Sequence, residues 1–262
     1  MTLTLASWNV NSIKARLPNA LDWLREAKPD IVCLQEIKTV DEGFPRTEIE
    51  DLGYNIITHG QKSYNGVAVL SKFPIEESLP GLPGDDEDEQ ARYLEAGISA
   101  PNGPVRVASI YLPNGNPAPG PKYDYKLAWM DRLARHAESL LKLEEPLILA
   151  GDYNVIPRDS DCWDAEVWEM DALALPQSRA AFDRLKWLGL TEAFEQLDGR
   201  AHQYTFFDYQ AGRWNKGHGI RIDHLLCSPQ AADRLESIEI HKATRGEPKA
   251  SDHIPIVGTF SL

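Results

Sequence analysis

The stretch LILAGDYN occupies residues 147–154, near the middle of the chain. Its first four residues are apolar and predict a short buried strand. Gly151 permits a tight turn, and a carboxylate and an amide, Asp152 and Asn154, follow it. On extended backbone these two side chains would point to the same side, although an Asx turn would use the same residues. Polar side chains after a buried strand indicate an α/β protein with a site at a sheet edge.

Three further polar fragments border apolar runs in the same manner. They are WNVN at residues 8–11, QE at residues 35–36 and SDH at residues 251–253. A protein interior has little use for carboxylates and amides without partners, whereas a hard cation beside a phosphate would engage them. The four fragments together predict a Mg²⁺-dependent phosphodiesterase.

The length and composition fit one large domain or two small ones. At 262 residues and 42% apolar content the chain can bury a substantial core, and no linker or repeat interrupts it. Because the separated motifs depend on one another, we expect a single domain over residues 1–262. No apolar run reaches membrane-spanning length, so we expect no membrane association. The three cysteines are a sparse, odd set, which is typical of reduced thiols in a cytoplasmic protein.

The net charge of −13, from 27 basic and 40 acidic residues, counts against a general nucleic-acid binder. However, one acidic run, Asp85–Glu89, reads as a solvated loop, and other acids are candidate metal ligands. Basic residues stand beside the motifs, namely Lys14, Arg16, Lys38, Arg92, Lys122, Lys126, Arg221 and Lys249. Local charge is therefore a better guide to the partner than net charge.

Apolar runs and turn signals predict roughly ten strands. These are Leu3–Ser7, Ile31–Gln35, Tyr54–Thr58, Gly66–Ser71, Glu95–Ser99, Val105–Leu112, Leu147–Ala150, Asp223–Cys227, Ser237–His241 and Ile254–Phe260. The turn sequence PNGP at residues 101–104 predicts that two of them form a hairpin. Helices are predicted before Lys28, over Tyr125–Leu143, and from a Ser178 cap to Gly189. Many hairpins and few βαβ units favour two mixed sheets packed face to face with helices outside.

The metal chemistry can be assigned from residue types. Mg²⁺ takes about six oxygen ligands, several of them waters, and needs few protein carboxylates. Glu36 and Asp252 would supply carboxylates, and Asn9 would supply a neutral oxygen or would only form the turn after its strand. Asp152 would activate water, and Asn154 would donate to the phosphate oxygen that gains charge.

The remaining polar candidates surround this site. Asp252 and His253 would diverge on a strand, so we expect them to serve different partners. His253 needs an acceptor to orient its ring, and Asp223 is the candidate. Tyr111 and Asn114 end a strand and could hydrogen-bond a phosphate, or Tyr111 could be a structural tyrosine.

Aromatic and basic residues interleave at residues 204–209 and 213–216. Such a stretch could stack on a sugar or base and hold backbone phosphates, although alternating aromatics are also ordinary strand residues. Lys126 fits a phosphate contact in the same sense, with solvated surface as the alternative.

The ordered motifs resemble those of the exonuclease III family, the bacterial relatives of the major apurinic/apyrimidinic endonuclease. The resemblance runs from Leu5 to Phe260 and rests on WNVNSIKAR (8–16), LQEIK (34–38), YLPNG (111–115), GDYNV (151–155), RID (221–223) and KASDHIP (249–255). It places the chain in the endonuclease/exonuclease/phosphatase superfamily. It implies a deoxyribonuclease I-like fold, a four-layer sandwich of two mixed, mainly antiparallel sheets flanked by helices.

The resemblance also implies roles for individual residues. Mg²⁺, with Mn²⁺ as an alternative ion, would bind Glu36, and the same site would be lined by Asn9, Asp152, Asn154, Asp252 and His253. The catalytic set would be Tyr111, Asp152, Asn154, Asp223 and His253. Substrate contacts would come from Asn11, Arg92, Asn114, Lys126, Phe206, Ile220 and Ile222. Some relatives have Trp at the position of Ile220, so the walls of the abasic-site pocket differ here.

The implied activity is hydrolysis of phosphodiesters 5′ to abasic sites, together with removal of nucleotides or blocking groups from 3′ ends of duplex DNA. We expect the enzyme to act as a monomer. Two alternatives stay open at this point. One is a phosphatase or sphingomyelinase-type phosphodiesterase of the same superfamily, and the other is a catalytically inactive DNA- or protein-binding module.

Overall fold

The computed structural model of the protein describes residues 2–262, and within this range twelve strands form two six-stranded sheets. The first sheet contains, in spatial order, β11 (Leu235–Ile240), β12 (Ile256–Phe260), β1 (Leu3–Asn9), β2 (Ile31–Gln35), β4 (Val67–Ser71) and β3 (Asn55–His59). The second contains β5 (Ile75–Pro80), β6 (Tyr93–Ala100), β7 (Gly103–Tyr111), β8 (Leu147–Asp152), β10 (Asp223–Cys227) and β9 (Thr191–Glu192).

Both sheets are mixed. Strand β1 runs parallel to β2 and β7 runs parallel to β8, whereas the other neighbouring pairs are antiparallel. The predicted hairpin is confirmed, because β6 pairs with β7 from Tyr93 opposite Ile110 to Ala100 opposite Gly103. Gly103 has φ +134°, a conformation that residues with a Cβ rarely adopt, and this explains the glycine in the turn.

Besides four short 3₁₀ helices, eight α-helices occur within residues 2–262. They are α1 (Leu17–Ala27), α2 (Arg46–Glu50), α3 (Pro121–Leu141), α4 (Ala165–Trp168), α5 (Pro176–Trp187), α6 (Ala193–Leu197), α7 (Arg213–Lys216) and α8 (Pro229–Ala232). Four of the helices have proline at their first or second position, where the missing N–H costs no intrahelical hydrogen bond.

The predicted start of α5 was wrong. The helix begins at Pro176 with Leu175 as its N-cap, and Ser178 lies inside the first turn. The Ser178 hydroxyl is buried and donates to the Ala172 carbonyl at 2.6 Å, so it joins the helix to the preceding loop. A proline at the first helical position was the better signal than the serine after it.

Three apolar clusters define the layers. The largest lies between the sheets and contains residues from the inner faces of both, such as Leu5, Cys33 and Ile148. A second cluster packs α3 and α5 onto the outer face of the second sheet, and a third packs α1 onto the first. The order helix, sheet, sheet, helix is the four-layer sandwich that was predicted.

Two strands were missed in the sequence. Strand β5 is an edge strand whose side chains are mostly exposed, and β9 is only two residues long. Neither carries the apolar run that the other strands have, because β5 packs only its first residue, Ile75, against the core and β9 is too short for a run. Strand β5 also contains two glutamates, which discourage pairing of this edge with another chain.

No helix in residues 2–262 combines the length and the apolar character needed to cross a membrane.

Candidate active site

The site lies at the edge where four strands end. In each parallel pair the carboxyl ends stand side by side, so Asn9 of β1 lies next to Gln35 of β2, and Tyr111 of β7 lies next to Asp152 of β8. Because the two sheets face each other, polar residues that follow distant strands meet across the top of the core. Strand β10 begins at the same edge, since Asp223 is paired with Asp152.

Three ionisable side chains form the centre of the site. Ligand atoms of Glu36, Asp152 and His253 all lie within 4.8 Å of one another. Asp152 and His253 are buried, and Glu36 is partly exposed with 16% of its side chain accessible. The two carboxylates at this spacing are oxygen ligands that a hard divalent cation can bind, with room for further ligands on the exposed side.

Asn9 supports the two carboxylates. Its amide nitrogen donates to Glu36 at 2.8 Å and to Asp152 at 3.0 Å, while its oxygen accepts from the Asn11 backbone N–H at 3.0 Å. Asn9 was expected as an oxygen ligand of the metal, but its oxygen forms the turn after β1. The geometry makes Asn9 a bridge between the carboxylates, so turn formation and site function coexist in one residue.

Asp252 was expected beside Glu36 and Asp152, and it lies outside the three-residue group. It lines the same pocket, and one of its oxygens accepts from the Asn11 amide at 3.0 Å. Lys38 closes this side of the site, donating to Asn11 at 2.5 Å and pairing with Glu36 at 2.8 Å. As predicted, Asp252 and His253 point to different partners.

His253 is held between two carboxylates. Its Nδ1 lies 3.0 Å from Asp223, the predicted orienting acceptor, and its Nε2 lies 3.6 Å from Asp152. Burial favours the neutral ring, but Asp223 and Asp152 outweigh burial and raise the pKa of His253 to about 10. The protonated ring separates two carboxylates that would otherwise repel each other across the β8–β10 pair.

Burial and neighbouring charges set the pKa values of the two carboxylates, Asp152 and Glu36. Burial raises the pKa of Asp152 to about 7, with His253 acting against that change and Asp223 adding to it. For Glu36, burial acts to raise the pKa, but the Lys38 ammonium and the Asn9 amide prevail and lower it. Two neighbouring carboxylates therefore differ in basicity: Glu36 stays ionised, and Asp152 is the stronger base.

Asn154 adopts φ +47°, so the expected extended segment is a turn in the structure. Its N–H donates to the Asp152 side chain at 2.9 Å, which is the Asx turn considered as the alternative. The Asn154 amide donates to the Leu112 carbonyl at 2.9 Å and accepts from Asn114 at 3.1 Å. The turn thus aligns Asn154 beside Asp152 and lets both line the pocket.

Lys126 was expected to contact phosphate, and the structure contradicts this. Its side chain has no solvent exposure, and its ammonium donates to the carbonyls of Asn154 at 2.6 Å and Asn114 at 3.1 Å. Helix α3 carries the lysine underneath the two loops that end β7 and β8. Lys126 therefore joins these loops from below, a role that the sequence could not distinguish from a surface contact.

Tyr111 and Arg92 form a stacked pair at the rim of the site. The Arg92 guanidinium lies 4.8 Å from the ring centroid and donates to the Tyr111 carbonyl at 3.3 Å. Burial, with Glu36 and Asp152 adding to it, raises the pKa of Tyr111 well above its ordinary value. The phenol therefore keeps its proton and can act as a hydrogen-bond donor.

A pocket of about 260 Å³ opens above these groups. Ten of the predicted site residues line it, namely Glu36, Tyr111, Asn114, Asp152, Asn154, Phe206, Ile220, Ile222, Asp252 and His253. The Phe206 ring packs edge-on against His253 at 4.9 Å, and Ile220 and Ile222 are nearly fully buried beside it. The other five predicted residues, Asn9, Asn11, Arg92, Lys126 and Asp223, support the lining from behind or beside it.

Sequence reasoning missed five residues that line the pocket. They are Asn116, Trp168, Asp171, Leu173 and Asp208. Three of them come from the segment before α5, which has no strong helix or strand pattern. Asn116 donates to Asp171 at 3.0 Å and so fastens this segment to the loop after β7. Asp208 lies inside the aromatic stretch 204–209 that the sequence marks, whereas no local signal marks the other four.

Comparison with known proteins agrees with this geometry. Residues 6–253 match the endonuclease/exonuclease/phosphatase family. The chain is 34% identical to exodeoxyribonuclease III of Haemophilus influenzae, a match that covers 97% of this chain and 98% of that protein. It is 29% identical to the DNA repair nuclease APEX1 of Danio rerio, covering 97% and 81% of the two chains.

Solved structures give the same result. The 3′ phosphatase NExo from Neisseria, solved with a product DNA hairpin, matches with a TM-score of 0.95 at 34% identity, covering 99% of this chain and 100% of that one. An AP endonuclease from Archaeoglobus fulgidus matches with a TM-score of 0.94 at 32% identity, again covering 99% and 100%. The chain therefore belongs to the endonuclease/exonuclease/phosphatase family, within its exonuclease III and apurinic/apyrimidinic endonuclease group.

Proposed function

We propose that this chain is a Mg²⁺-dependent DNA-repair nuclease that cleaves duplex DNA 5′ to abasic sites and removes nucleotides or blocking groups from 3′ ends. The observation that carries the proposal is the convergence of Glu36, Asp152 and the Asp223-bound His253 in one pocket. The names of the relatives support the substrate class, since they include an exodeoxyribonuclease, an AP endonuclease and a 3′ phosphatase.

A divalent ion fits the donor set. Glu36 and Asp152 offer the carboxylate oxygens that Mg²⁺ prefers, and Glu36 keeps its charge because its pKa is lowered. Mn²⁺ would bind the same oxygens. When bound, the ion would neutralise charge that develops on the phosphoryl and leaving oxygens.

The side chains have complementary roles in hydrolysis. Asp152 lines the pocket beside Glu36 and His253 and is placed to accept a proton from the attacking water. His253, protonated and oriented by Asp223, donates to a phosphate oxygen as that oxygen gains charge. The amide of Asn154 and the phenol of Tyr111 add donors at the pocket wall.

The apolar wall suits a sugar without a base. Phe206, Ile220, Ile222, Trp168 and Leu173 line one side of the pocket next to the ionisable groups. An abasic deoxyribose can enter a pocket with such a wall because it carries no base whose polar edges would lose their hydrogen bonds. A paired nucleotide would first have to leave the base stack of the duplex. Cytoplasmic location and the monomeric state stay predictions beside this proposal.

A substrate panel tests the proposal. Purified protein is given a duplex with one abasic site, a duplex with a 3′-phosphate, and a phosphoinositide, each with Mg²⁺ and with EDTA. We expect cleavage on the 5′ side of the abasic site and release of the 3′-phosphate, both abolished by EDTA, and no action on the phosphoinositide. Preference for the phosphoinositide would favour the lipid-phosphatase class, and no turnover at all would favour a binding module.

A further inference from the structure

Two arginines flank one exposed tyrosine beside the active site. The guanidinium carbons of Arg16 and Arg245 lie 5.9 Å and 5.2 Å from the centroid of the Tyr209 ring. Arg16 donates to the Tyr209 hydroxyl at 2.8 Å, and that hydroxyl donates to the Ala250 carbonyl at 2.8 Å. Arg245 donates to the Phe207 carbonyl at 2.9 Å. These contacts hold both cations against one aromatic side chain.

Neither guanidinium is neutralised. In residues 2–262, neither Arg16 nor Arg245 makes an ion pair with a carboxylate, although the chain has 40 acidic residues. The Nε atom of Arg16 is buried and has no hydrogen-bond partner among the described residues. A guanidinium has five N–H donors, and most of those on Arg16 are unused. Two unpaired cations in a chain of net charge −13 indicate a site for an external anion.

The pair is continuous with the catalytic pocket. The Asn11 amide lies 3.4 Å from the Tyr209 hydroxyl and 3.0 Å from Asp252, which lines the pocket. Two hydrogen bonds therefore join the Tyr209 hydroxyl, which Arg16 also contacts, to Asp252 in the lining of the pocket. Successive phosphates of one DNA strand advance by about 3.4 Å along the duplex axis, so a neighbouring phosphate falls within reach of these side chains.

We propose that Arg16 and Arg245, held against Tyr209, form a binding site for a backbone phosphate of the cleaved DNA strand next to the hydrolysed bond. The inference rests on the proposed nuclease function and adds where along the DNA strand the protein holds its substrate. Planar guanidinium groups match phosphate geometry, and stacking on an aromatic ring fixes their orientation before DNA arrives. Phosphate contacts of this kind set position without reading sequence.

The salt dependence of DNA binding tests the site. Binding of an abasic duplex is measured at several salt concentrations, without divalent ion so that no cleavage occurs, for wild type, Arg16→Ala, Arg245→Ala and the double variant. Each lost phosphate contact should flatten the slope of log K against log [salt] by about 0.9. Arg25→Ala is the matched control, since Arg25 lies in the last turn of α1, at the opposite end from Arg16.

A chemical change in the DNA separates phosphate binding from a purely structural role. Each phosphate flanking the abasic site is replaced in turn by an uncharged methylphosphonate. At one position we expect wild type and Arg25→Ala to lose affinity, while the double variant loses none, because the contact is already absent. If the two arginines only stabilised the local structure, the double variant would bind DNA more weakly, but its sensitivity to every methylphosphonate would equal that of wild type.

The outcomes are distinct from those of the function test. Unchanged salt slopes in both single variants, or equal methylphosphonate sensitivity at every position, would overturn the phosphate site while wild type still cleaves abasic DNA. Failure of wild type to cleave any DNA would instead refute the proposed function. Circular dichroism of each variant identifies any that fails to fold. Tyr209→Phe is a second variant: it keeps the ring and both arginines and removes only the hydroxyl.

Discussion

At the scale of single residues, the chemistry depends on how three buried groups share charge. His253 lies between Asp152 and Asp223, and the three side chains are nearly inaccessible to solvent. An isolated carboxylate at such a position would be strongly disfavoured, and the protonated ring offsets that cost. Burial and Asp223 nevertheless keep the pKa of Asp152 raised, to about 7. In the proposed mechanism, stability and reactivity therefore depend on one set of contacts.

Asp223→Asn tests the orienting role. The amide is nearly isosteric, but it removes the charge that holds the imidazole protonated and correctly turned. Residues that orient a functional histidine commonly contribute about 10- to 100-fold in activity, so we expect kcat on an abasic duplex to fall by that factor while KM changes little. Asp233→Asn, at an exposed position after α8, is the control. Equal kcat for the two variants would remove Asp223 from the mechanism.

Which site residues could be predicted depends on how locally their role is determined. Glu36, Asp152 and His253 follow or precede buried strands, so their position at the sheet edge was readable from the motifs. The direction of the Asn9 amide was not, because it depends on partners from two other strands. Lys126 was misread because nothing in a helical pattern marks a lysine that points under two loops.

At the scale of secondary-structure elements, α3 stabilises the loops of the active site. We expect Lys126→Met to fold but to leave the buried carbonyl of Asn154 unsatisfied, at a cost of about 1–3 kcal/mol in the free energy of unfolding, and to remove the donor to the Asn114 carbonyl. Turnover should fall as well, because Asn154 loses its support. Lys122→Met, one turn earlier on the exposed face, provides the control. Denaturant unfolding and abasic-site cleavage are measured for both, and identical behaviour would contradict the role.

Short strand β9 carries a buried ionic network that should give a characteristic pH response. Burial acts to raise the pKa of Glu192, but Arg221 and His224 outweigh it and lower the pKa from 4.5 to about 2. Because the folded-state pKa lies below the unfolded one, the ionised carboxylate stabilises the fold above pH 4.5, and this contribution is lost as pH falls toward 2. Arg221 also pairs with Asp161 at 2.9 Å, so the network anchors the chain just before Asp223.

Glu192→Gln should therefore lower the free energy of unfolding by about 3 kcal/mol at neutral pH, since it leaves a buried arginine partly uncompensated. The difference from wild type should shrink as pH is lowered through the range below 5, and denaturant unfolding at a series of pH values measures it. Glu166→Gln, at an exposed position on α4, should show no such trend. A difference that stays constant with pH would be inconsistent with an ionised Glu192.

Whether a strand or loop could be predicted also depends on whether its conformation is determined locally or by distant contacts. For strands with a face in the core, such as β2 and β10, the ends were predicted to within two residues. Burial imposes an apolar run on such strands, and the run is visible in the sequence. The edge strand β5 and the segment that supplies Trp168 and Leu173 have no such constraint. Their conformation comes from contacts with distant parts of the chain, which a local pattern cannot contain.

At the scale of the whole molecule, the distribution of charge reconciles an acidic protein with a DNA substrate. Most arginines and lysines away from the pocket are paired with carboxylates, as Arg106 is with three glutamates. The cations Arg16, Arg92 and Arg245, beside the pocket, lack such partners in the described part of the chain. The net charge limits nonspecific binding, while the proposed phosphate site at Arg16 and Arg245 would attract the backbone locally.

The dependence of abasic-site cleavage on Mg²⁺ concentration is the most direct measurement of the central claim, that Glu36 and Asp152 together hold a catalytic divalent ion. Wild type and Glu48→Gln, altered at an exposed position on α2, should be inactive in EDTA and should saturate at the same Mg²⁺ concentration. Glu36→Gln should need about tenfold or more Mg²⁺ and reach a lower maximal rate. Cleavage by Glu36→Gln with the wild-type dependence on Mg²⁺ would contradict the account.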